Sequence, residues 1–236
     1  MRVLISGASQ GLGKALAKAL TEDGHKVVLL ARNRRKLEEL AEELNMGAGE
    51  ELASLLPFDL ADLADLEEEF SGMLEERCSR LDALVNNAGA MLRKSFGDVS
   101  AGEVKALFET NFFAPALLTR LCLPLMKNSA LKHVVNISSM GGFQGSVKFG
   151  GLSYYSASKA ALGNLSECLA EELKDEGVKV NALALGAAQT PMLEATFPGY
   201  EAPLQAEDMA TFLKWFTLEG GKYFNGKVLP VALSTP

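Results

Sequence analysis

Cysteine, histidine and tryptophan are scarce: three, two and one in 236 residues. Cys78, Cys122 and Cys168 stand alone, form no C-x-x-C pair, and sit at no metal-ligand spacing from His25 or His133. That excludes a disulfide framework and a zinc-type centre; no metal is predicted, and reduced thiols in a cytoplasmic protein are the expectation. No apolar run reaches about 18 residues, so no membrane-spanning helix is predicted. The apolar part of the opening Met1-Arg2-Val3-Leu4-Ile5-Ser6-Gly7 is too short for a signal-peptide core. Positive charge is not in excess either: 23 Lys and Arg against 30 Asp and Glu give a net charge of −7. Such a surface repels phosphate backbones and anionic lipid, so neither nucleic acid nor membrane is expected as a partner. Linkers rich in Ser or Gly, blocks of like charge and internal repeats are also missing, and residues 1–236 read as one domain.

What remains is an alternation of short apolar runs with amphipathic segments. Strands are predicted over Val3–Ser6, Lys26–Ala31, Ala53–Phe58, Leu81–Val85, His133–Ile137, Lys179–Leu185 and Lys227–Val231. Helices are predicted over Leu12–Leu20, Arg35–Leu44, Asp62–Arg77, Tyr154–Glu176 and Glu207–Leu218. In the third of these, Leu63, Leu66, Phe70 and Leu74 form the inner stripe. Ala101–Met126 reads as a long helical region broken near Pro115 and Pro124. Strands of this length alternating with helices imply an α/β, Rossmann-like, doubly wound parallel sheet of about seven strands, covered on both faces. In such sheets ligands bind beyond the carboxyl ends of the strands.

The first strand runs into Ser6-Gly7-Ala8-Ser9-Gln10-Gly11-Leu12-Gly13. Gly7 can turn tightly off the strand, Gly11 lets main chain approach a pyrophosphate, and Gly13 lets helix and strand pack closely. The following helix N-terminus offers unpaired N–H groups to an anion. After the second strand, Leu30-Ala31-Arg32-Asn33-Arg34-Arg35-Lys36 has Ala31 where a binder of a free ribose 2′-OH usually carries an acid. Arg32 matches a 2′-phosphate, so NADP(H) is expected over NAD(H), which stays as the alternative. A basic cluster at a helix N-terminus opposes the dipole and so asks for a nearby anion. Lys14 is a surface lysine or a further phosphate contact.

Ser153-Tyr154-Tyr155-Ser156-Ala157-Ser158-Lys159 opens a helix, and Tyr155 and Lys159 share one of its faces. A phenol ionises near pH 10 and is a poor acid at neutrality. An adjacent ammonium is expected to bring it into range for proton transfer. Tyr154, one residue round, is read as packing.

Taken in order, these residues resemble the short-chain dehydrogenase/reductase family. The likeness rests on Gly7, Gly11 and Gly13, Asp59, Asn86-Asn87-Ala88-Gly89, Asn111, Asn136-Ile137-Ser138-Ser139, Tyr155 to Lys159, and Gly186 with Thr190-Pro191. It implies that Tyr155 exchanges a proton with the substrate oxygen. By the same likeness Lys159 lowers the tyrosine pKa and holds the nicotinamide ribose, Ser139 donates to the carbonyl oxygen, and Asn111 holds a relay water. It also implies that Ser9, Gln10, Leu12, Arg32 and Asn33 join the three glycines around the nucleotide. Asp59 and Leu60 would sit at the adenine, Asn87, Ala88 and Gly89 along the cofactor, and Gly186 and Thr190 beside the nicotinamide. Of the two serines ending a strand only one can face the cofactor, and Ser139 is chosen over Ser138.

Some features depart from the family pattern. Sixteen positions separate Ser139 from Tyr155, a longer gap than is usual, with the extra residues in the glycine-rich Gly141–Leu152 segment. Leu185-Gly186 replaces a Pro-Gly, which is expected to loosen that turn. Residues 192–205 make a short, apolar substrate lid, expected to face Phe143 and Phe149. The tail Leu229–Pro236 lacks the common Asp-Gly-Gly ending, which bears on the family's C-terminal subunit contacts. The resulting expectation is a reductase that uses NADP(H) on a small-molecule ketone or aldehyde, or oxidises the alcohol, with apolar groups around the carbonyl. A homodimer or homotetramer pairing through Ala101–Met126 and Tyr154–Glu176 is implied by the resemblance. The alternatives are an NADP(H)-binding regulatory or scaffold protein with little turnover, and an NAD(H)-dependent alcohol dehydrogenase.

Overall fold

Successive residues of a pleated strand point to opposite faces, and β1 (Arg2–Ser6) shows it: Val3 and Ile5 pack into one apolar layer and Leu4 into the other. In the computed structural model, which describes residues 1–233, every strand of the main sheet is parallel to its neighbours. The chain continues through α1 (Gly11–Glu22), β2 (Lys26–Ala31), α2 (Arg34–Asn45), β3 (Ala53–Pro57), α3 (Glu67–Arg77) and β4 (Ala83–Asn86). Then follow α4 (Ala101–Phe108), α5 (Ala114–Met126), β5 (His133–Ser139), α6 (Ser153–Glu172) and β6 (Lys179–Leu185). A two-stranded ribbon of β7 (Ala188–Gln189) and β8 (Leu204–Gln205) brackets α7 (Pro191–Thr196), and α8 (Ala206–Glu219) and β9 (Val228–Val231) complete the described chain. Ser234, Thr235 and Pro236, the end of the tail singled out in the sequence, lie outside the described residues.

The seven-stranded sheet has the order β3-β2-β1-β4-β5-β6-β9, so the winding reverses between β1 and β4. One layer sets Leu16, Leu37, Leu213 and Phe216 of α1, α2 and α8 against the sheet; the other sets Phe70, Leu118 and Met126 of α3 and α5. Burial on both faces is why the strands read as unbroken apolar runs. The reversal leaves a crevice beyond the ends of β1 and β4, where doubly wound sheets take their ligands.

Three elements differ from the sequence expectation. α3 begins at Glu67, not Asp62, because Asp59 accepts from Ala61 N at 3.1 Å and turns the chain into a short 3-10 segment first. Leu66 then precedes the helix and is 39% exposed rather than in the inner stripe. The helical region from Ala101 to Met126 does not break at its prolines. Between α4 and α5, Glu109–Phe113 forms a π turn in which Ala114 N donates to Glu109 O. Pro115 has no N–H to give and sits in the first turn of α5, so the π turn before it carries a main-chain carbonyl without a helix donor. Pro124 is accommodated inside α5. The short helix α7 lies in a segment with no periodicity to reveal it. Among the described residues no helix is long and apolar enough to cross a membrane.

Candidate active site

The cleft occupies about 550 Å3 above the carboxyl ends of β1, β2, β4, β5 and β6. At its nucleotide end, main chain meets main chain. Gly7 has φ +67°, and a Cβ on it would lie 2.8 Å from Ala88 Cα. A Cβ on Gly13 would lie 2.4 Å from Gly7 O. Gly13 therefore packs helix against strand and does not line the cleft, as Gly7, Ser9, Gln10, Gly11 and Leu12 do. Asn87 fastens β4 to β1, its Nδ2 donating to Ser6 O at 2.9 Å and Gly7 O at 3.3 Å. Ser6 Oγ accepts from Asn87 N and Ala88 N, each at 3.0 Å. Sequence reasoning missed Ser6; its signal was a hydroxyl at the last position of an otherwise apolar strand. Gln10, at the N-cap of α1, makes no side-chain cap and no acid occupies the first turn. The leading N–H groups of a helix without such a cap are open to an anion.

Ala31, Arg32, Phe58, Asp59 and Leu60 line the far end of this half. Arg32 is 80% exposed, with Nη1 3.8 Å from Asp59 Oδ2. Asn33 is not in the cleft: its side chain caps α2 by accepting from Lys36 N at 3.0 Å. Nor does the rest of the basic cluster ask for an anion. Arg34 pairs with Glu38 at 3.7 Å, Arg35 with Glu39 at 2.8 Å and Lys14 with Glu43 at 3.6 Å, while Lys36 Nζ donates to Gln10 Oε1 at 2.9 Å. The helix supplies its own counter-charges one turn on, which offsets the dipole conflict.

At the other end Tyr155 and Lys159 of α6 face β5. Both are buried, 7% and 4% exposed. Lys159 Nζ donates to Ile137 O at 2.9 Å, and burial pulls its pKa down to about 8. Burial pushes the Tyr155 phenol above its ordinary value, and the neighbouring Ser139 hydroxyl acts against that. The expected lowering of the phenol by Lys159 is thus corrected: desolvation dominates, and the ammonium is directed at the Ile137 carbonyl. Ser139 Oγ accepts from Gly141 N at 3.1 Å, whereas Ser138 Oγ donates to Lys159 O at 2.8 Å. Ser139 thus faces the phenol and Ser138 anchors α6.

Asn111 is fully buried in the π turn, behind the cleft. Its Oδ1 accepts from Ala90 N at 2.8 Å, and its Nδ2 donates to Ala90 O at 2.9 Å and Ser158 Oγ at 3.0 Å. Ser158 Oγ in turn donates to Tyr155 O at 2.7 Å. The amide therefore braces the loop after β4 against the tyrosine helix; Ser158 was quoted in the motif but given no role there. Gly89 separates this amide from the cation, since a Cβ there would lie 3.3 Å from both Asn111 Oδ1 and Lys159 Nζ.

The remaining wall comes from residues 140–152 and the lid. The long segment loops out, tied by Lys148, whose Nζ donates to Gly141 O at 2.9 Å, Phe143 O at 2.6 Å and Ser146 Oγ at 2.9 Å. Phe149, Leu152, Met192, Phe197 and Tyr200 line the cleft; Phe143 does not. Thr190 accepts from Leu193 N at 3.2 Å and starts α7 with Pro191 in its first turn, a cap-and-proline signal that could have revealed the helix. The turn at Gly186 is not loose: its N donates to Val231 O at 2.9 Å, and a Cβ would lie 2.8 Å from that of Ala232. Tyr154 packs as expected, stacking on Phe96 with ring centroids 5.2 Å apart. Among the described residues no cluster of three or more His, Cys, Asp or Glu could hold a metal ion.

The same architecture occurs in solved structures. A 3-ketoacyl-(acyl-carrier-protein) reductase from Brucella melitensis, complexed with NADH, is 25% identical and superposes with a TM-score of 0.85, over 98% of this chain and 96% of that one. The Pseudomonas aeruginosa RhlG/NADP active-site complex is 28% identical with a TM-score of 0.85, over 98% and 94%. An uncharacterized oxidoreductase of Staphylococcus aureus is 30% identical over 207 residues, 88% of this chain and 86% of its own. The profile of the short chain dehydrogenase family matches residues 1–201, a span that holds both the glycine loop and the wall built by Ser139, Tyr155 and Lys159. The chain belongs to the short-chain dehydrogenase/reductase family of oxidoreductases.

Proposed function

We propose that this protein is an NADP(H)-dependent reductase of ketones or aldehydes with apolar surroundings, Tyr155 being the proton donor. The observation that carries the reading is that Ser139, Tyr155 and Lys159 line one wall of a cleft whose opposite end is an uncapped helix N-terminus. The residues present fit a dinucleotide: the Gly7–Gly13 contact admits close main chain, the N–H groups of α1 suit a pyrophosphate, and Arg32 suits a 2′-phosphate. Solved relatives with NADH and with NADP support a nicotinamide in general; Arg32, with Ala31 in place of an acid, supports NADP(H) over NAD(H).

A bound dihydronicotinamide supplies the hydride. Ser139 donates to the carbonyl oxygen and stabilises the charge that grows there. Tyr155 gives that oxygen its proton. Burial keeps the phenol protonated at neutral pH, the form in which reduction starts. Lys159, with a pKa of about 8, is still largely protonated at neutral pH and resupplies the phenol. Both N–H groups of the Asn111 amide are taken and its Oδ1 already accepts from Ala90 N, so the relay water is placed on the π-turn carbonyl that Pro115 leaves without a donor. The apolar lid accounts for substrate surroundings, with residues 192–205 closing over the cleft. Exposed Phe113, at the end of the π turn leading into α5, and the stack of Phe96 on Tyr154 of α6 support pairing of two copies through those helices.

Loss of absorbance at 340 nm, followed with NADPH and NADH over a panel of carbonyl compounds, tests this. Tyr155→Phe should lower kcat by about a thousandfold while nucleotide binding persists. Full turnover by that variant would overturn the mechanism. Tight NADPH binding with no turnover on the panel would favour a regulatory or scaffold protein instead.

A further inference from the structure

Beside the catalytic cleft lies a second, more polar cavity of about 630 Å3. The two share Met91. Between them stands the lid helix, with Pro191, Met192 and Leu193 of α7 lining the cleft and Ala195 and Thr196 lining the second cavity. The partition is completed by one contact: Arg93, which lines the second cavity, holds its guanidinium 4.6 Å from the ring centroid of Phe197, which lines the cleft. Arg93 and Lys94 line the second cavity, and no acid does. Lys94 is occupied: its N donates to Gly151 O at 2.9 Å and its ammonium pairs with Glu103 at 3.1 Å. Arg93 has no carboxylate partner among the described residues; the aromatic face is its counterpart. On a chain of net charge −7, a cation of this kind at the rim of an apolar cleft is a local exception.

We propose that the second cavity is a tail subsite, and that Arg93 selects carbonyl substrates whose apolar body ends in an anionic group. This rests on the carbonyl-reductase reading above. Phe149, Leu152, Met192 and Phe197 pack the apolar body while the carbonyl lies at Tyr155 and Ser139. A longer substrate passes Phe197 and reaches the N–H edge of Arg93, which stays stacked on that ring. A guanidinium stacked on an aromatic ring keeps its N–H edge free for an oxyanion, so the stack positions the donor rather than using it up. Ser95, on the same cavity, can add a hydroxyl donor to the tail.

The test compares straight-chain methyl ketones of increasing length that end in a carboxylate with the same ketones ending in methyl. In the native protein, beyond the length that reaches the rim, the carboxylate series should gain about tenfold in kcat/KM, mainly through KM, and lose that gain at high salt. Arg93→Met, which keeps an apolar side chain over Phe197, should bring the ratio between the two series close to one, and Arg93→Lys should restore part of it. A native enzyme that treats the two series alike overturns the proposal. So does an Arg93→Met variant that slows both equally, since Arg93 would then only prop the lid. If no ketone is turned over, calorimetric titration with the longest keto-carboxylate separates the two ideas. Binding that Arg93→Met abolishes keeps the subsite and sinks the reductase, whereas no binding sinks the subsite.

Discussion

At the nucleotide end of the cleft, glycines let main chain touch main chain, and Ser6 and Asn87 tie two strand ends together across the switch in winding. At the substrate end, the walls are side chains on loops, and Phe149 and Tyr200 stay about half exposed at the mouth. On the proposed function, the first end recognises what every turnover has in common, the cofactor. The second recognises what differs from one substrate to the next, and there this chain departs from its family. Rigidity lies where a fixed partner is held by backbone atoms, and tolerance lies where side chains can be exchanged.

Substitutions at each end can break or sharpen that contrast. The largest effect is expected at Gly13→Ala, whose methyl would enter the van der Waals space of Gly7 O and Asn87 Nδ2. Overpacking of this kind should remove about 3 kcal/mol or more, seen as a fall in Tm of about 9 °C and loss of nucleotide binding together. A Tm near that of the native protein would show the nucleotide end to be softer than described. Next is Arg32→Asp, at the rim of the same end, which sets a carboxylate beside Asp59 and should turn the NADPH-to-NADH ratio of kcat/KM over by tenfold or more while Tm hardly moves. An unchanged ratio would remove Arg32 from cofactor choice. The smallest is Lys148→Met at the substrate end, which frees three acceptors in a partly exposed loop. It should lower Tm by only about 3 °C and raise KM for carbonyl substrates several-fold, without touching the Kd for NADPH. A change in that Kd would mean the two ends are coupled.

Much of this arrangement was legible in the residue order. Buried parallel strands announce themselves as apolar runs, and β2 and β6 stand where those runs predict. Ser139, Tyr155 and Lys159 meet because strand ends and one helical face bring them together. The misreadings share a cause: a tertiary partner invisible in local sequence. Asn33 could serve as a ligand or as a cap, and its neighbour Lys36 decided it. Glycine at 186 suggests freedom, but Ala232, just past the end of β9, closes the space around it. The sequence sets a cation one helical turn from the phenol, whereas burial by the whole wall around it shifts its acidity the other way. Lys148 carries no motif, and its role exists only once the loop has closed on it.

The π turn at Glu109–Phe113 has a further consequence. An extra residue in a continuous helix acts as a phase shift: every side chain after it is rotated by about 100° relative to an unbroken α-helix. On an unbroken α-helix Leu107 and Leu118 would lie about 20° apart; the extra residue sets them about 80° apart, so α4 buries Leu107 in one direction and α5 turns Leu118, Cys122 and Met126 in another. The two stretches are thus geared to each other through the residue that braces the tyrosine helix. Removing one residue anywhere between Glu109 and Phe113 would put the gears out of mesh, turning apolar teeth to water and the brace away from Ser158, whatever residue was removed.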